Sequence, residues 1–302
     1  MADGAQRCLE TMDGERAMMT TPVALGDARF FAHEAMKTTF TLRFAGMDEE
    51  GARGVARECF ELVDRLEDAL SRYREGGEVW RINRMRAGET LYLSDACHRC
   101  LLKALEGWQE TGGLFDITQG RRIEHRKMAD EGPVPELCGS LTVHPDVPAI
   151  TCVEEGRELD LGGIGKGFAL DEMAALLKDW EIGSVLLAAG GSSLLAHGDA
   201  GWPVEMTGDG GSEKLVLSNE AMSASGTGIQ GAHIIHPEMP ERDCEFGYKR
   251  VWVTAAGAAA AEVWSTAVML VPPGDLHAWL AEGGDFRRVV VEGAEGLRTV
   301  FP

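Results

Sequence analysis

Between Asp160 and Glu172 the chain reads DLGGIGKGFALDE, with four glycines between Gly162 and Gly167 around a single cation, Lys166. The preceding RELDL alternates like a strand, and the following FALDEMAALLKDW has helical periodicity, so the most flexible stretch of the chain opens a helix. A helix N-terminus presents unpaired backbone N–H groups and the positive end of a dipole, and glycines let an anion approach that backbone. The pattern suits a phosphate seat; it also suits a plain helix-entry turn with a solvated lysine. Two phosphate loops are excluded. A Walker A loop needs Ser or Thr after the lysine, where Gly167 stands, and a dinucleotide fingerprint needs a third glycine where Phe168 or Ala169 stands.

The rest of the chain predicts an α+β fold with mixed or antiparallel sheets and packed helices. TTFTLRF (38–44) alternates as a strand, and Val55, Cys59, Leu62, Leu66 and Leu70 mark a helix ending near residues 71–73. EGGEVWRINR reads as a loop, LYLSD leads into a helix over 95–110, TGGLFDITQG is a glycine-bounded turn, and EHRKMADEGPVPELCGS reads as a surface excursion. Beyond the glycine loop come a helix to about Trp180, the strand SVLLAAGG, short strands at PVEMT and KLVLS, and the strand VWVTAAG. A helix through AEVWSTAVML, a short one at DLHAWLAE and a hairpin RRVVVEGAEGLRTVF close the chain. Strands and helices do not alternate strictly, which argues against a doubly wound sheet. Residues 1–33 read as a weakly ordered arm and 34–302 as a single domain.

A formal net charge of −20 excludes nucleic acid as a natural partner, and any phosphorylated ligand has to be held locally by backbone amides, a lysine or a metal. The seven cysteines form no zinc or disulfide framework, and Cys97 and Cys100 fall in a helical pattern with Cys97, Leu101, Ala104 and Trp108 on one side, which reads as core packing. The acidic N-terminus lacks a basic region followed by a long apolar run, and no segment is long enough to span a membrane, so a reduced, cytoplasmic setting is expected.

Four stretches carry groups capable of chemistry. In AEVWSTAVM, Glu262 and Thr266 are four apart on one helix face and could serve one small hard ion, although that spacing also suits a solvated face. In GAHIIHPE, His233 and His236 are each candidates for a general base or for a hydrogen-bonded structural histidine. AAGGSSLLAHG offers backbone amides and hydroxyls, or a tight turn. LSRYREGGEVWRIN offers Tyr73 as an aromatic platform or a packing residue, and Asn83 as a polar anchor.

Taken in order, these stretches resemble one family, the ApbE flavin transferases. AMKTTF is similar to the family's AMGT-x-F, LSRYREGGEVWRIN to its LS-x-Y…SE-I-x-x-LN, and GLFDIT to G-x-FDPT. DLGGIGKGFALD resembles DLGGIAKGYAVD, AAGGSS the LGGN loop, SASG the TSG element, HIIHP the HIIDP element and AEVWSTAV the ADALATAL helix. The resemblance spans residues 35 to 270. It implies an Mg2+-dependent enzyme that binds FAD and transfers FMN to a Thr or Ser hydroxyl of an acceptor protein, releasing AMP.

Carried over position by position, the resemblance assigns the FAD site to Met36, Asp116, Asp160, Gly162, Gly163, Gly190, Gly191 and Ser192, with Lys166 near the phosphates and Tyr73 near the isoalloxazine ring. It assigns Mg2+ to the Gly165 carbonyl, Glu262 and Thr266, and the catalytic role to His233 as base, with His236 beside it. The chain departs from the pattern where Glu262 and His236 replace Asp, Lys37 replaces Gly, Ser192 replaces Asn, and Ser225-Gly226 lacks the preceding Thr. These departures keep open a second reading, an FAD-binding relative or an FAD pyrophosphatase that flavinylates no protein.

Overall fold

The structure, a computed structural model, describes residues 20–22, 28–128, 132–226, 234–240 and 247–302. In chain order the elements are β1 (Thr20–Pro22), β2 (Arg29–Ala35), β3 (Thr38–Ala45), α1 (Glu49–Leu70), α2 (Glu78–Ile82), β4 (Thr90–Tyr92), α3 (Asp95–Glu110) and α4 (Gly120–Lys127). They continue as β5 (Ser140–Val143), β6 (Ala149–Glu154), α5 (Gly165–Asp179), β7 (Ser184–Ala189), β8 (Ser193–His197), β9 (Trp202–Gly208), β10 (Gly211–Leu217) and β11 (Glu220–Gly226). The chain ends with β12 (Arg250–Ala255), α6 (Ala258–Val268), α7 (Leu276–Leu280), β13 (Arg288–Gly293) and β14 (Gly296–Phe301).

The centre is an eight-stranded antiparallel sheet in the order β14-β13-β12-β11-β8-β7-β3-β2. Side chains alternate across a strand, and here both faces of the central strands β7, β8, β11 and β12 are covered. Val185, Leu187, Ala189, Leu195, Val251 and Val253 face the main core beneath the helices. Leu186, Ala188, Leu194, Ala196, Met222 and Trp252 face a second core shared with Trp202, Val204 and Met206 of the small sheet β1-β9-β10. Double coverage explains why SVLLAA reads as a continuous apolar run. Glu292 of β13, 1% exposed, anchors the small sheet by accepting from Gly210 N–H (3.1 Å) and from Arg250 Nη1 (2.5 Å).

The helices form where their apolar periods lie. Asp48 caps α1 by accepting the Gly51 N–H (2.8 Å), and Ala52, Val55, Cys59, Val63, Leu66 and Leu70 form its buried face. Leu62 is only half-buried, Val63 taking the core position. On α3, Cys97, Cys100, Leu101 and Ala104 are buried, whereas Trp108 is 47% exposed. Burial pushes both α3 thiols well above the ordinary cysteine range, so they pack as small apolar groups.

Some local expectations change. Pairing in the central sheet begins at Arg29, within the segment expected as an arm. EVWRI forms the short helix α2, and the first residues of the expected surface excursion are the last turn of α4. RELDL forms only an isolated bridge, Glu158 to Gln119. Its backbone pairs instead with the Asn83 side chain, which donates to Leu159 O (2.9 Å) and accepts from Leu159 N–H (2.7 Å) as a neighbouring strand would.

Candidate functional site

The β2–β3 turn, the C-terminal end of α1, α4, the glycine loop opening α5, the β7–β8 turn, β11 and α6 enclose a cleft of about 820 Å³. That volume lies in the upper part of the range of small-molecule sites, about 300–1,000 Å³. Met36, Tyr73, Asp116, Asp160, Gly162, Gly163, Gly165, Lys166, Gly190, Gly191, Ser192, Glu262 and Thr266 all line it. His233 lies outside the described residues. His236 is buried and is not part of the lining; its Nδ1 accepts the backbone N–H groups of Glu238 (3.2 Å) and Met239 (3.3 Å), an arrangement a carboxylate at that position could also provide. Arg122 and Arg126 of α4 fasten the same segment by donating to Pro237 O, Ile234 O and Pro240 O.

Asp160, 7% exposed, organises the glycine loop. Its Oδ1 accepts the Gly162 N–H (2.8 Å), and its Oδ2 lies 3.6 Å from both Arg72 Nη1 and Lys127 Nζ. Arg72 also reaches Gly120 O (2.7 Å) and Glu158 Oε2 (2.6 Å), locking the loop to the start of α4. Asp116 is spent on its own turn, accepting from Thr118 N–H and Gln119 Nε2.

Tyr73 stands among cations. Lys37 Nζ sits 4.2 Å above its ring, and its hydroxyl donates to Glu124 Oε2 (2.9 Å) while accepting from Lys127 Nζ (3.0 Å). Burial, aided by Glu124 and Asp160, pushes the phenol above its ordinary value against the pull of Lys127. Burial alone would lower the Lys127 ammonium, but its bond to Tyr73 and the charge of Asp160 outweigh it and hold the pKa above normal. Met36 and Lys37 form the β2–β3 turn with φ of 50° and 58°, the left-handed region that costs a side chain about 1–2 kcal/mol per residue. Gly190, at φ 62°, passes so close to Thr38 Oγ1 that a Cβ would stand 2.5 Å from it.

Deeper in, Glu262 is 4% exposed; its Oε1 accepts from Ser193 Oγ (2.6 Å) and lies 3.4 Å from Lys166 Nζ. Its Oε2 is buried and takes no hydrogen bond among the described residues. An unsatisfied buried carboxylate oxygen is costly unless something cationic meets it. With the Thr266 hydroxyl one turn along α6 and the Gly165 backbone on the same cleft wall, the available donors are all oxygen, as a hard cation such as Mg2+ requires. No three His, Cys, Asp or Glu side chains gather into a metal-holding group among the described residues.

Arg72 and Lys127 were not singled out from the sequence, and Ser193 entered only as one of the two serines of AAGGSSLLAHG. Arg72 adjoins Tyr73 in LSRYREGG, so position beside a motif was its only signal; Lys127 lies in the stretch read as surface. The lining charges balance, with Lys37, Arg72, Lys127 and Lys166 against Glu67, Asp116, Asp160 and Glu262.

Comparison with known proteins bears on the family and the fold. Residues 36–289 match the model of the ApbE family. An FAD:protein FMN transferase of Klebsiella pneumoniae is 23% identical over 93% of this chain and 89% of its own, and that of Escherichia coli K12 is 22% identical over 80% and 77%. Among solved structures, the flavin transferase ApbE of Vibrio cholerae superposes with a TM-score of 0.75 at 20% identity, covering 90% of this chain and 96% of its own. The ApbE protein of Thermotoga maritima gives 0.78 at 19% identity, covering 90% and 97%. At such identity these structures establish the α+β fold.

Proposed function

The chain belongs to the ApbE family, and from that premise we propose that it is an FAD:protein FMN transferase, moving FMN from FAD to a Thr or Ser hydroxyl of an acceptor protein and releasing AMP. The observation that carries the reading is convergence. Segments from Met36 to Thr266 that match the family's motifs meet around one cleft large enough for a dinucleotide.

In this reading the glycine loop and Lys166 hold the pyrophosphate, and Tyr73 with Lys37 borders the flavin ring. Glu262, Thr266 and the Gly165 carbonyl hold Mg2+, which when bound neutralises charge on the pyrophosphate. The acceptor hydroxyl attacks the phosphorus of the FMN half. A new P–O ester bond forms, the bridging P–O bond breaks, and AMP leaves with that electron pair. His233 takes the hydroxyl proton, while Asp160 and Arg72 keep the loop in shape. The departing charge is met by fixed donors already in place, which is where such sites gain most of their rate.

The second reading, binding or hydrolysis of FAD without transfer, rests on the departures from the family's motifs at Glu262 and His236. Incubation with FAD, Mg2+ and a threonine-bearing acceptor peptide separates the readings. AMP with a peptide heavier by one FMN moiety supports transfer; AMP without a labelled peptide supports hydrolysis; neither product removes both activities and leaves FAD binding alone.

A further inference from the structure

The helix that carries Glu262 and Thr266 has no cap of its own, because its N-cap residue is Gly257. The cap comes from α5. The carboxylate of Asp171 accepts the Ala258 N–H at Oδ1 (2.6 Å) and the Ala259 N–H at Oδ2 (2.9 Å). The same two helices touch where Gly167 meets the Ala258 backbone, so closely that a Cβ would stand 2.4 Å from Ala258 O. One helix bears Gly165 and Lys166, the other Glu262 and Thr266, and Asp171 is the polar bolt between them.

We propose that Asp171 is a positioning residue whose ionised carboxylate, by fastening the first turn of α6 to α5, sets the spacing of Lys166 and Gly165 against Glu262 and Thr266 and thereby the Mg2+-dependent grip on the FAD pyrophosphate. The proposal rests on the reading of the cleft given above. Its chemistry is simple. An ionised carboxylate can accept at both oxygens; a protonated one turns one oxygen into a donor, which opposes an N–H and surrenders half of the cap.

The surroundings place that change within reach of ordinary conditions. Burial pushes Asp171 up to about 6; the Ala259 and Ala258 N–H groups pull it down, Glu262 on α6 pushes it up and Lys103 on α3 pulls it down. Glu172 beside it is paired with Arg99 of α3. On α1 the buried face is apolar apart from Cys59, whose thiol burial pushes up to about 12 and keeps neutral, and β7 and β8 bury no charged side chain. Because the folded-state pKa is raised, the fold keeps its proton longer than the unfolded chain. The group's contribution to stability therefore falls as pH rises from about 4 to about 6, and the cap is completed as pH then passes through about 6. Stability and cap move in opposite directions, which separates positioning from a merely structural role.

The test uses the full chain, with FAD binding followed by flavin fluorescence with and without Mg2+ from about pH 5 to about pH 8, for the wild type and Asp171→Asn, alongside thermal melts. Hydrogen exchange of the metal-free backbone over 257–264 reads the cap directly. The wild type is expected to lose about tenfold of its Mg2+ enhancement below pH ~6 without melting earlier, as outer-shell partners of metal sites typically cost when lost. Asp171→Asn is expected to bind FAD without Mg2+ as the wild type does, to lack the enhancement at every pH and to exchange faster at Ala258 and Ala259. A flat wild-type enhancement across this pH range overturns the proposal, as does a variant with wild-type enhancement, and if the variant fails to fold the wild-type series decides alone. FAD binding without any Mg2+ effect overturns the proposal but leaves the flavin site standing, whereas no FAD binding at all overturns both.

Discussion

Two glycines of α5, two residues apart, are expected to respond to the same substitution with opposite signs. A Cβ on Gly165 would meet nothing within 4 Å, and the ApbE motif DLGGIAKGYAVD carries Ala at this place. Gly165→Ala should therefore gain part of the alanine helix preference, about 0.5 kcal/mol at a first-turn position, and raise the melting temperature by about 1–2 °C. A Cβ on Gly167 would stand 2.4 Å from Ala258 O and 2.8 Å from Ala259 N, backbone atoms that cannot turn aside. Relieving that overlap means moving α6 away from α5 by about 1 Å, at about 1–3 kcal/mol for overpacking. Stretching the Asp171 hydrogen bonds adds about 1 kcal/mol. After the helix preference of about 1 kcal/mol is returned, Gly167→Ala should be destabilised by about 2 kcal/mol and melt about 5 °C lower. Urea denaturation with matched slopes measures both variants. A Gly167→Ala protein as stable as the wild type would refute the close approach of the two helices and everything built on it.

Other substitutions probe the remaining contacts. Lys37→Gly relieves about 1 kcal/mol of left-handed strain but returns a similar amount as added freedom of the unfolded chain, so melting should hardly change while FAD affinity drops severalfold; unaltered affinity would mean Lys37 does not touch the ligand. Lys166→Ala should weaken FAD binding by about tenfold, a charged hydrogen bond being worth about 1.5–3 kcal/mol, and fluorescence titration showing no loss would remove the phosphate role of the loop. Glu262→Gln should keep the fold and lose Mg2+-dependent AMP release, with retained turnover counting against the metal assignment. Glu292→Ala removes the buried partner of Arg250, 14% exposed at its side chain, and leaves it paired with the exposed Asp209 alone, which should cost about 2 kcal/mol in chemical denaturation; a change under about 1 kcal/mol would show that the network does not hold the small sheet in place.

Much of the site was legible because its parts sit where local pattern changes abruptly. The glycine loop marks a switch from period two to helical period, and Glu262 and Thr266 lie at a spacing that places them on one face. What that face meets was not legible: α6 packs on β11, β12, β8 and α5, and these contacts together bury Glu262. RELDL had the alternation of a strand but no backbone partner, since a single side chain, Asn83, does the pairing from far upstream. Trp108 shares a helical face with Cys97 and Leu101, yet lies where α3 passes the rim of the core and stays exposed. Lys127 looked like surface because its neighbours in sequence are polar; its partners Tyr73 and Asp160 are distant in the chain.

The place of β3 has a consequence for how the cleft comes to exist. Phe40 lies opposite Ala189 in the central sheet, and all of α1 through α5 is threaded between them. Closing so long a loop costs entropy before any pairing rewards it, and chains dominated by such distant pairings fold slowly. The β2–β3 hairpin can form early on local information, but it docks onto β7 only once the intervening segment has collapsed to a compatible size. Met36 and Lys37 ride on that hairpin, so one wall of the cleft is complete only when the β3–β7 pairing has formed. A partly folded chain that already holds the glycine loop and α6 but not this pairing would still lack the side that covers Tyr73, and binding competence would wait on it.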